Sequence, residues 1–258
     1  GRNPVLEALR AGRRLRRLLV APGLRSDRRL AEILERAATV GIAVETTARV
    51  RLNDVAHTEH HQGIAAYFDS RQLDNSEVLR QLLDNQNPSW PPVFVCLDEV
   101  QDPQNLGSLA RSAEVLGVTA LILPRHRTAP PSAAAAKASA GAIEHLRLVR
   151  VVNLAQTLRE LADLGVARIG LDASGDHRCD QVDLQSAVAL VVGAEGEGLR
   201  PLTRRQCDVL VSIPMGGRVQ SLNASVAGSL LMYEMARQRD FAYPTSTRAA
   251  RSRVAAGI

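Results

Sequence analysis

The sequence predicts an α/β protein in two parts, a small N-terminal unit followed by a larger unit built on a parallel sheet. Three observations carry that expectation. From Pro92 onward, short continuous apolar runs alternate with helical patterns, the mark of strands buried on both faces of a parallel sheet. A shorter alternation precedes it and ends near Phe68. Between the two lies "NQNPSWPP" (Asn85–Pro92), whose prolines and asparagines mark a linker. At 258 residues, 45% of them hydrophobic, the chain can bury one large or two small cores.

In the first part, "LRRLLVAP" (Leu15–Pro22) reads as a strand. "DRRLAEILERAATVG" (Asp27–Gly41) reads as an amphipathic helix that stops at glycine. "IAVETT" and "GIAAYF" read as further strands, and a helix follows at roughly Ser76–Asp84. In the second part "VFVCLDEV" is a buried strand, "LGSLARSAEVLG" a helix, "VTALILP" a strand and "PSAAAAKASAG" a helix. "LRLVRVV", "VARIGLDAS", "AVALVVG" and "CDVLVSIP" are strands, with the helix "LAQTLRELADLG" after the first of them. "SLNASVAGSLLMYEMARQR" closes the series as a charge-poor helix. The expected domains are residues 1–70 and 93–240, joined by a linker at 71–92. Residues 241–258, polar, small and Arg-bearing, are expected to form a flexible tail.

The formal net charge is +5, and Lys137 is the only lysine, so arginine carries the positive charge. A guanidinium fork binds phosphate oxygens in pairs, which suits a nucleic-acid partner, although an Arg-favouring genome would give the same bias. Ten arginines fall within the first 36 residues. Arg13, Arg14, Arg16 and Arg17, in "RAGRRLRR", form either a solvated face or a grip on an RNA backbone. Cys96, Cys179 and Cys207 form no C-x-x-C pair, so neither a disulfide framework nor a zinc site is expected. "HTEHH" (His57–His61) sits directly before a strand without cysteine companions, and no metal is expected there. No stretch approaches the ~18 apolar residues of a membrane span, and no apolar signal segment opens the sequence; a cytoplasmic location without membrane contact is the expectation.

Ligands of open α/β sheets bind beyond the carboxyl ends of the strands, and three such ends stand out. The first is "LDEVQDPQNLGSLARSAEVLG", in which Asn105 is a plausible N-cap and Arg111 lies two turns into the helix. The second is "LVVGAEGEGLRPL", where a buried strand breaks into Gly193, Glu195, Gly196 and Gly198. The third is "IPMGGRVQSLNASVAGSLLMYE" (Ile213–Glu234), which brings Ser221 and Asn223 to the entrance of the last helix. Taken singly, each has an ordinary reading. A Gly-rich turn is common after a buried strand, Arg111 is compatible with a surface position, and Ser and Asn favour helix caps by about 1 kcal/mol. The glycines are not G-x-G-x-x-G. No Walker loop, G-x-S-x-G or Ser-His-Asp arrangement occurs, which argues against NTPase and hydrolase chemistry.

Together, "DPQNLGSLARSAEVLG", "VVGAEGEGL" and "IPMGGRVQSLNASVAGSLLMYE" resemble, in order and spacing, the three motifs of the SpoU (TrmH-type) branch of the SPOUT RNA methyltransferases. "GRNPVLEAL" and "HHQGIAA" resemble the small substrate-binding domain of its RlmB-like subgroup, whose members methylate a guanosine ribose in large-subunit rRNA. Two departures are minor: Ala224 stands where valine is usual, and Gly217 and Arg218 fall in a loop that varies.

The resemblance implies a C-terminal α/β-knot, a parallel sheet with a deep trefoil knot, behind a small α/β RNA-binding domain of ribosomal-protein type. It also implies S-adenosylmethionine as cofactor and a homodimer acting on RNA, with 23S rRNA as the first expectation and tRNA as the alternative. A ribosome-assembly protein that has lost catalysis is a further alternative. By the same resemblance, Gly193, Glu195, Gly196, Ile213, Met215 and Leu222 are expected at the cofactor. Asn105, Arg111, Glu195, Ser221 and Asn223 are expected as the catalytic set. Arginine keeps its proton throughout the ordinary pH range and is a poor base. Arg111 is therefore expected to stabilise an incipient alkoxide or clamp the adjacent phosphate, with Glu195 orienting Asn105 or Arg111.

Overall fold

The structure, a computed structural model, describes residues 1–85, 87, 89–218 and 221–243. The first unit runs α1 (Arg2–Arg10), β1 (Leu15–Val20), α2 (Arg28–Thr39), β2 (Val44–Thr46), α3 (Arg49–Ala56) and β3 (Ile64–Phe68). Its sheet has the order β2-β1-β3, with β2 parallel and β3 antiparallel to β1. The hydrophobic period of α2 places Leu30, Ile33 and Ala37 inward, onto Leu18 and Ile64 of the sheet and Val5, Leu6 and Leu9 of α1. Asp27 caps α2 by accepting a hydrogen bond from the Leu30 amide at 2.8 Å. Neither α1 nor α3 was expected from sequence. Both are short and Arg-bearing, so tertiary packing rather than a strong apolar stripe decides them.

The second unit begins with α4 (Glu77–Asp84) and continues through β4 (Val93–Leu97), α5 (Pro103–Val115), β5 (Ala120–Pro124) and α6 (Ala133–Ala138). Then follow β6 (Arg147–Val151), α7 (Leu154–Asp163), β7 (Ala167–Leu171) and the two-residue β8 (His177–Arg178). The chain ends with β9 (Val188–Val192), α8 (Pro201–Arg204), β10 (Val209–Ser212) and α9 (Ala224–Gln238). Seven parallel strands lie in the order β6-β5-β4-β9-β7-β10-β8.

Alternation along the central strands explains their continuous apolar sequence. Val93, Val95 and Leu97 of β4 face the core made with α5 and α9, while Phe94 and Cys96 face the core made with α4 and α7. β9 divides the same way, with Leu190 on one face and Val191 on the other.

The strand order has one consequence for everything that follows. β9 is seated between β4 and β7, two strands laid down earlier, and α9 then packs back on β9, β7 and α5. This is the crossing that a threaded sheet requires, and it brings three distant loops to one sheet edge. The contact is close. A Cβ on Gly228 of α9 would lie 2.6 Å from Leu109 Cδ2 and 3.1 Å from Val192 Cγ2. At the far end of α9 the buried Arg239 guanidinium stacks on Trp90 and donates to the carbonyls of Pro91, Leu184 and Ser186. Burial without a contacting carboxylate lowers its pKa to about 10.

Several expectations need correcting. α5 starts at Pro103 with Asp102 as its cap, accepting from the Gln104 amide at 2.9 Å; Asn105 is not the cap but lies inside the first turn. α9 starts at Ala224, so Ser221 and Leu222 precede it. The stretch expected as linker is packed in its first half: Leu79 of α4 is buried in the larger core, and Arg71 donates to the carbonyls of Ile143 and Leu146. Residues 86 and 88 of that stretch, and the expected tail from 244 onward, lie outside the described residues. Tyr243 stacks on Trp90 with ring centroids 5.0 Å apart.

Candidate active site

The loops after β4, β9 and β10 converge at the sheet edge, and their side chains bond to one another. Asn223 Nδ2 donates to Asn105 Oδ1 at 2.9 Å and to Glu195 Oε2 at 2.8 Å. Asn105 Nδ2 donates to the same Glu195 oxygen at 3.2 Å. Asn223 reaches this position because its own Oδ1 caps α9, accepting from the amides of Ser225 at 2.9 Å and Val226 at 3.3 Å. The Ser225 hydroxyl donates to that oxygen as well, at 2.6 Å. One amide therefore serves the helix with its oxygen and the site with its nitrogen, and the capping bonds fix which is which. α5 and α9 both begin here, so their free N–H groups add positive potential around Glu195.

Beside this network lies a cavity of about 320 Å³. It is lined by the turn from Gly193 to Leu199, by Ile213, Met215, Ser221 and Leu222, and by Leu171, Asp172, Ala173 and Arg204. The turn is a tight hairpin in which Ala194 and Gly198 exchange backbone hydrogen bonds at 3.0 and 3.1 Å. A Cβ on Gly193 would sit 2.3 Å from the Gly198 carbonyl, so this glycine is demanded by the chain's own backbone rather than by a ligand. Gly196 differs. Its φ is +84°, and nothing stands within 4 Å of the missing Cβ, so it leaves open space.

The structure thus gathers Gly193, Glu195, Gly196, Ile213, Met215, Ser221 and Leu222 on one cavity and joins Asn105 and Asn223 to it through Glu195. Arg111 is not drawn in. It is exposed on α5 and makes no hydrogen bond or ion pair among the described residues. Glu195 orients the two asparagines and not Arg111.

The N-terminal arginines lie in the small unit and do not line this cavity. Three of the four are already engaged there: Arg13 with Glu144 at 2.7 Å, Arg16 with Asp69, and Arg17 with Glu45 at 2.6 Å. Arg14 is exposed and has no ion pair among the described residues. Arg13, Arg14 and Arg16 border a separate groove of about 890 Å³ between the α1–β1 turn and α2. His61, the last histidine of "HTEHH", is buried with both ring nitrogens used, one by Asn53 at 2.8 Å and one by the Gly63 amide at 2.9 Å.

Two polar pairs escaped the sequence reading. Asp98, fully buried at the end of β4, accepts from the Arg200 amide at 2.9 Å and its Nε at 2.7 Å, locking the loop after β4 to the segment after the hairpin. Asp172 takes Arg204 at 2.8 Å, and both line the cavity. The available signal was "LDE", a pair of acids ending a fully apolar strand, where burial is costly unless the charge is met.

Comparison with known proteins agrees with this geometry. Residues 92–233 match the SpoU rRNA Methylase family, and residues 1–73 match the family described as RNA 2'-O ribose methyltransferase substrate binding. An uncharacterized tRNA/rRNA methyltransferase of Mycolicibacterium vanbaalenii is 42% identical over 239 residues, 93% of this chain and 76% of that one. A counterpart from Mycobacterium leprae is 43% identical over the same shares. Among solved structures, the SpoU methyltransferase AviRb of Streptomyces viridochromogenes, in complex with AdoMet, is 26% identical. It superposes with a TM-score of 0.74, covering 93% of this chain and 88% of that one. An AdoMet-bound rRNA methyltransferase from Sinorhizobium meliloti, 24% identical with a TM-score of 0.74 over 92% and 85%, shares the fold.

Proposed function

The chain belongs to the SpoU rRNA methylase family, and from that premise we propose that it transfers a methyl group from S-adenosylmethionine to a ribose 2′-hydroxyl of RNA. The observation that carries this reading is the Asn105–Glu195–Asn223 network standing at the mouth of the 320 Å³ cavity. The cavity fits the donor. Its lining is apolar at Leu171, Val192, Ile213 and Leu222, its hairpin offers bare backbone at Gly196, and Asp172, Glu195, Arg204 and Ser221 supply polar groups. When bound there, S-adenosylmethionine supplies an electrophilic methyl on a sulfonium.

The residues of the chain then have separable tasks. Glu195 holds the amide planes of Asn105 and Asn223, so that the loops after β4 and β10 keep a fixed distance; alignment of this kind is a large part of an in-line transfer. Ser221 lies at the cavity edge and holds the substrate side. Arg111, exposed with its guanidinium unspent, relieves the charge that develops on the attacking oxygen or clamps the neighbouring phosphate. Arg14 and its neighbours on the small unit meet the RNA backbone, and the boundaries proposed for that unit are residues 1–70.

We take the target to be a guanosine of 23S rRNA, from the resemblance of "GRNPVLEAL" and "HHQGIAA" to the RlmB-like subgroup; the substrate-binding match at residues 1–73 supports RNA as the substrate. The working form is a homodimer, supported by an apolar stripe on α9. Val226, Leu230 and Tyr233 recur on one face of that helix and are each 43–52% exposed. Mapping 2′-O-methyl groups in a strain lacking the protein, with and without complementation, tests the assignment. Loss and restoration of one 23S rRNA guanosine methylation supports it. Loss confined to a tRNA, or no change in any RNA, overturns it.

A further inference from the structure

The lining of the cavity includes a polar group that the methyl-transfer chemistry leaves unused. Asp172 follows directly on β7, and its backbone stays tied to β10 by a hydrogen bond from its amide to the Val211 carbonyl at 3.0 Å. Its side chain is fixed from three directions. Oδ2 accepts from Arg204 Nη1 at 2.8 Å, and Oδ1 accepts from the Ser174 amide at 2.9 Å and the Ser174 hydroxyl at 2.7 Å. Arg204 Nη2 closes the ring by donating to the Ser174 hydroxyl at 3.2 Å. Asp172 and Arg204 line the same cavity as Glu195 and Ser221. The carboxylate is mostly covered, with 12% of its side-chain surface exposed. Desolvation raises its pKa, but the Ser174 hydroxyl and amide and then the Arg204 charge outweigh that and hold it below the ordinary aspartate value.

An ionised carboxylate offers about four acceptor directions, and three are taken. What remains is an acceptor whose charge Arg204 already balances. Such a group has little net attraction for a cation yet keeps its capacity to accept a hydrogen bond from a neutral donor. Of the parts of a nucleoside-bearing methyl donor, the vicinal hydroxyls of the ribose match that description. The purine's exocyclic amino group is the other neutral donor, whereas the sulfonium and the ammonium of the amino-acid end are cations. An acid just past the end of a parallel strand is also where α/β folds read a ribose diol in other nucleotide sites.

We infer that Asp172, positioned by Arg204 and Ser174, is the residue that reads the ribose of the methyl donor. The inference rests on the proposed use of this cavity and deepens it. It assigns a binding role to a side chain beyond the three loops that build the Asn105–Glu195–Asn223 network.

Calorimetric titration of the full chain with three probes tests it. They are S-adenosylhomocysteine, 5′-methylthioadenosine, which keeps the diol but lacks the amino acid, and the 2′,3′-dideoxy form of the latter. The wild-type protein is expected to prefer methylthioadenosine over its dideoxy form by about tenfold or more. Asp172→Asn is expected to weaken the first two probes by a similar factor and the dideoxy probe less than twofold. Equal wild-type affinity for the two thioadenosines would overturn the inference without any variant needing to fold. So would a D172N loss confined to S-adenosylhomocysteine, which would move Asp172 to the amino-acid end, or an equal loss for all three probes, which would place its role at the purine or in the fold and not at the diol. Binding of none of them by the wild type would overturn the donor-site reading itself, and this inference with it.

Discussion

The side-chain amide of Asn223 lies 2.9 Å from the side-chain oxygen of Asn105, a residue 118 positions earlier in the chain. That bond joins the first turn of α5 to the N-cap of α9, and both meet Glu195. Helix capping and assembly of the site therefore rest on one residue, and the two roles separate under mutation. Asn223→Ala is expected to cost about 1 kcal/mol of stability, the usual value of a cap. Asn223→Ser, which can still cap, is expected to stay within about 0.3 kcal/mol of wild type. Both are expected to lower methyl transfer by about 100-fold, because either change frees the loops to drift by an ångström. Thermal melts beside a transfer assay check this, and full activity in the serine variant would show that the Asn105 bond is dispensable.

Arg111 stands apart from that network, so its removal leaves the cavity intact. Arg111→Ala is expected to lower methyl transfer by about 100-fold or more with donor affinity unchanged within about twofold, and Arg111→Lys to recover part of the rate through its charge alone. Near-normal transfer by R111A would remove Arg111 from the chemistry.

The two hairpin glycines separate packing from access. A methyl on Gly193 meets backbone at 2.3 Å and forces the hairpin open, at an expected cost of about 3 kcal/mol. Gly196→Ala meets nothing and bears only the left-handed backbone cost of about 1 kcal/mol. Chemical denaturation ranks the two, and equal losses would contradict the close approach at Gly193.

A third relationship predicts a pH dependence. His145, in the turn before β6, bonds to Glu7 of α1 at 2.7 Å. The hydrogen bond to Glu7 raises the pKa of His145, and the hydrogen bond from His145 is the largest of the influences that lower Glu7. The raised histidine contributes fully below its unfolded value of about 6.5, and its contribution fades as pH rises through the folded value. The lowered glutamate contributes above its unfolded value of about 4.3, and its contribution fades as pH falls through its folded value. The stability difference between wild type and His145→Gln is therefore expected to peak between about pH 4.5 and 6.5 and to shrink on either side. Partial exposure keeps it under about 1 kcal/mol. A difference that does not change between pH 5 and pH 9 would show that the pair does not hold the two units.

Much of the fold was legible because its signals are local. Val93–Leu97 and Val188–Val192 are apolar without interruption, as strands covered on both faces must be, and Asp27 announces the start of its helix. Asn223 was legible as both cap and site residue. Asn105 was misread as a cap because Asn is a good one; Asp102 before Pro103 is better placed. What the sequence hides is partnership at a distance. Arg200 finds Asp98 across 102 residues, and Arg204 finds Asp172 across 32. The "RRLRR" arginines read as a free basic patch until strand pairing sets Arg17 beside Glu45 and Arg16 beside Asp69. Gly193 lines the cavity, and the Gly198 backbone, 2.3 Å from where a Cβ would sit, is what requires a glycine there, a partnership the sequence does not show.

The most direct measurement incubates the purified protein with methyl-labelled S-adenosylmethionine and unmodified 23S rRNA, digests the RNA to nucleosides, and identifies the labelled species by mass spectrometry. Label is expected on the ribose of a single nucleoside, 2′-O-methylguanosine, and to fall by about 100-fold when Asn223→Ser replaces the wild type. Label on a base, or no label from a protein that binds the donor, would contradict the account.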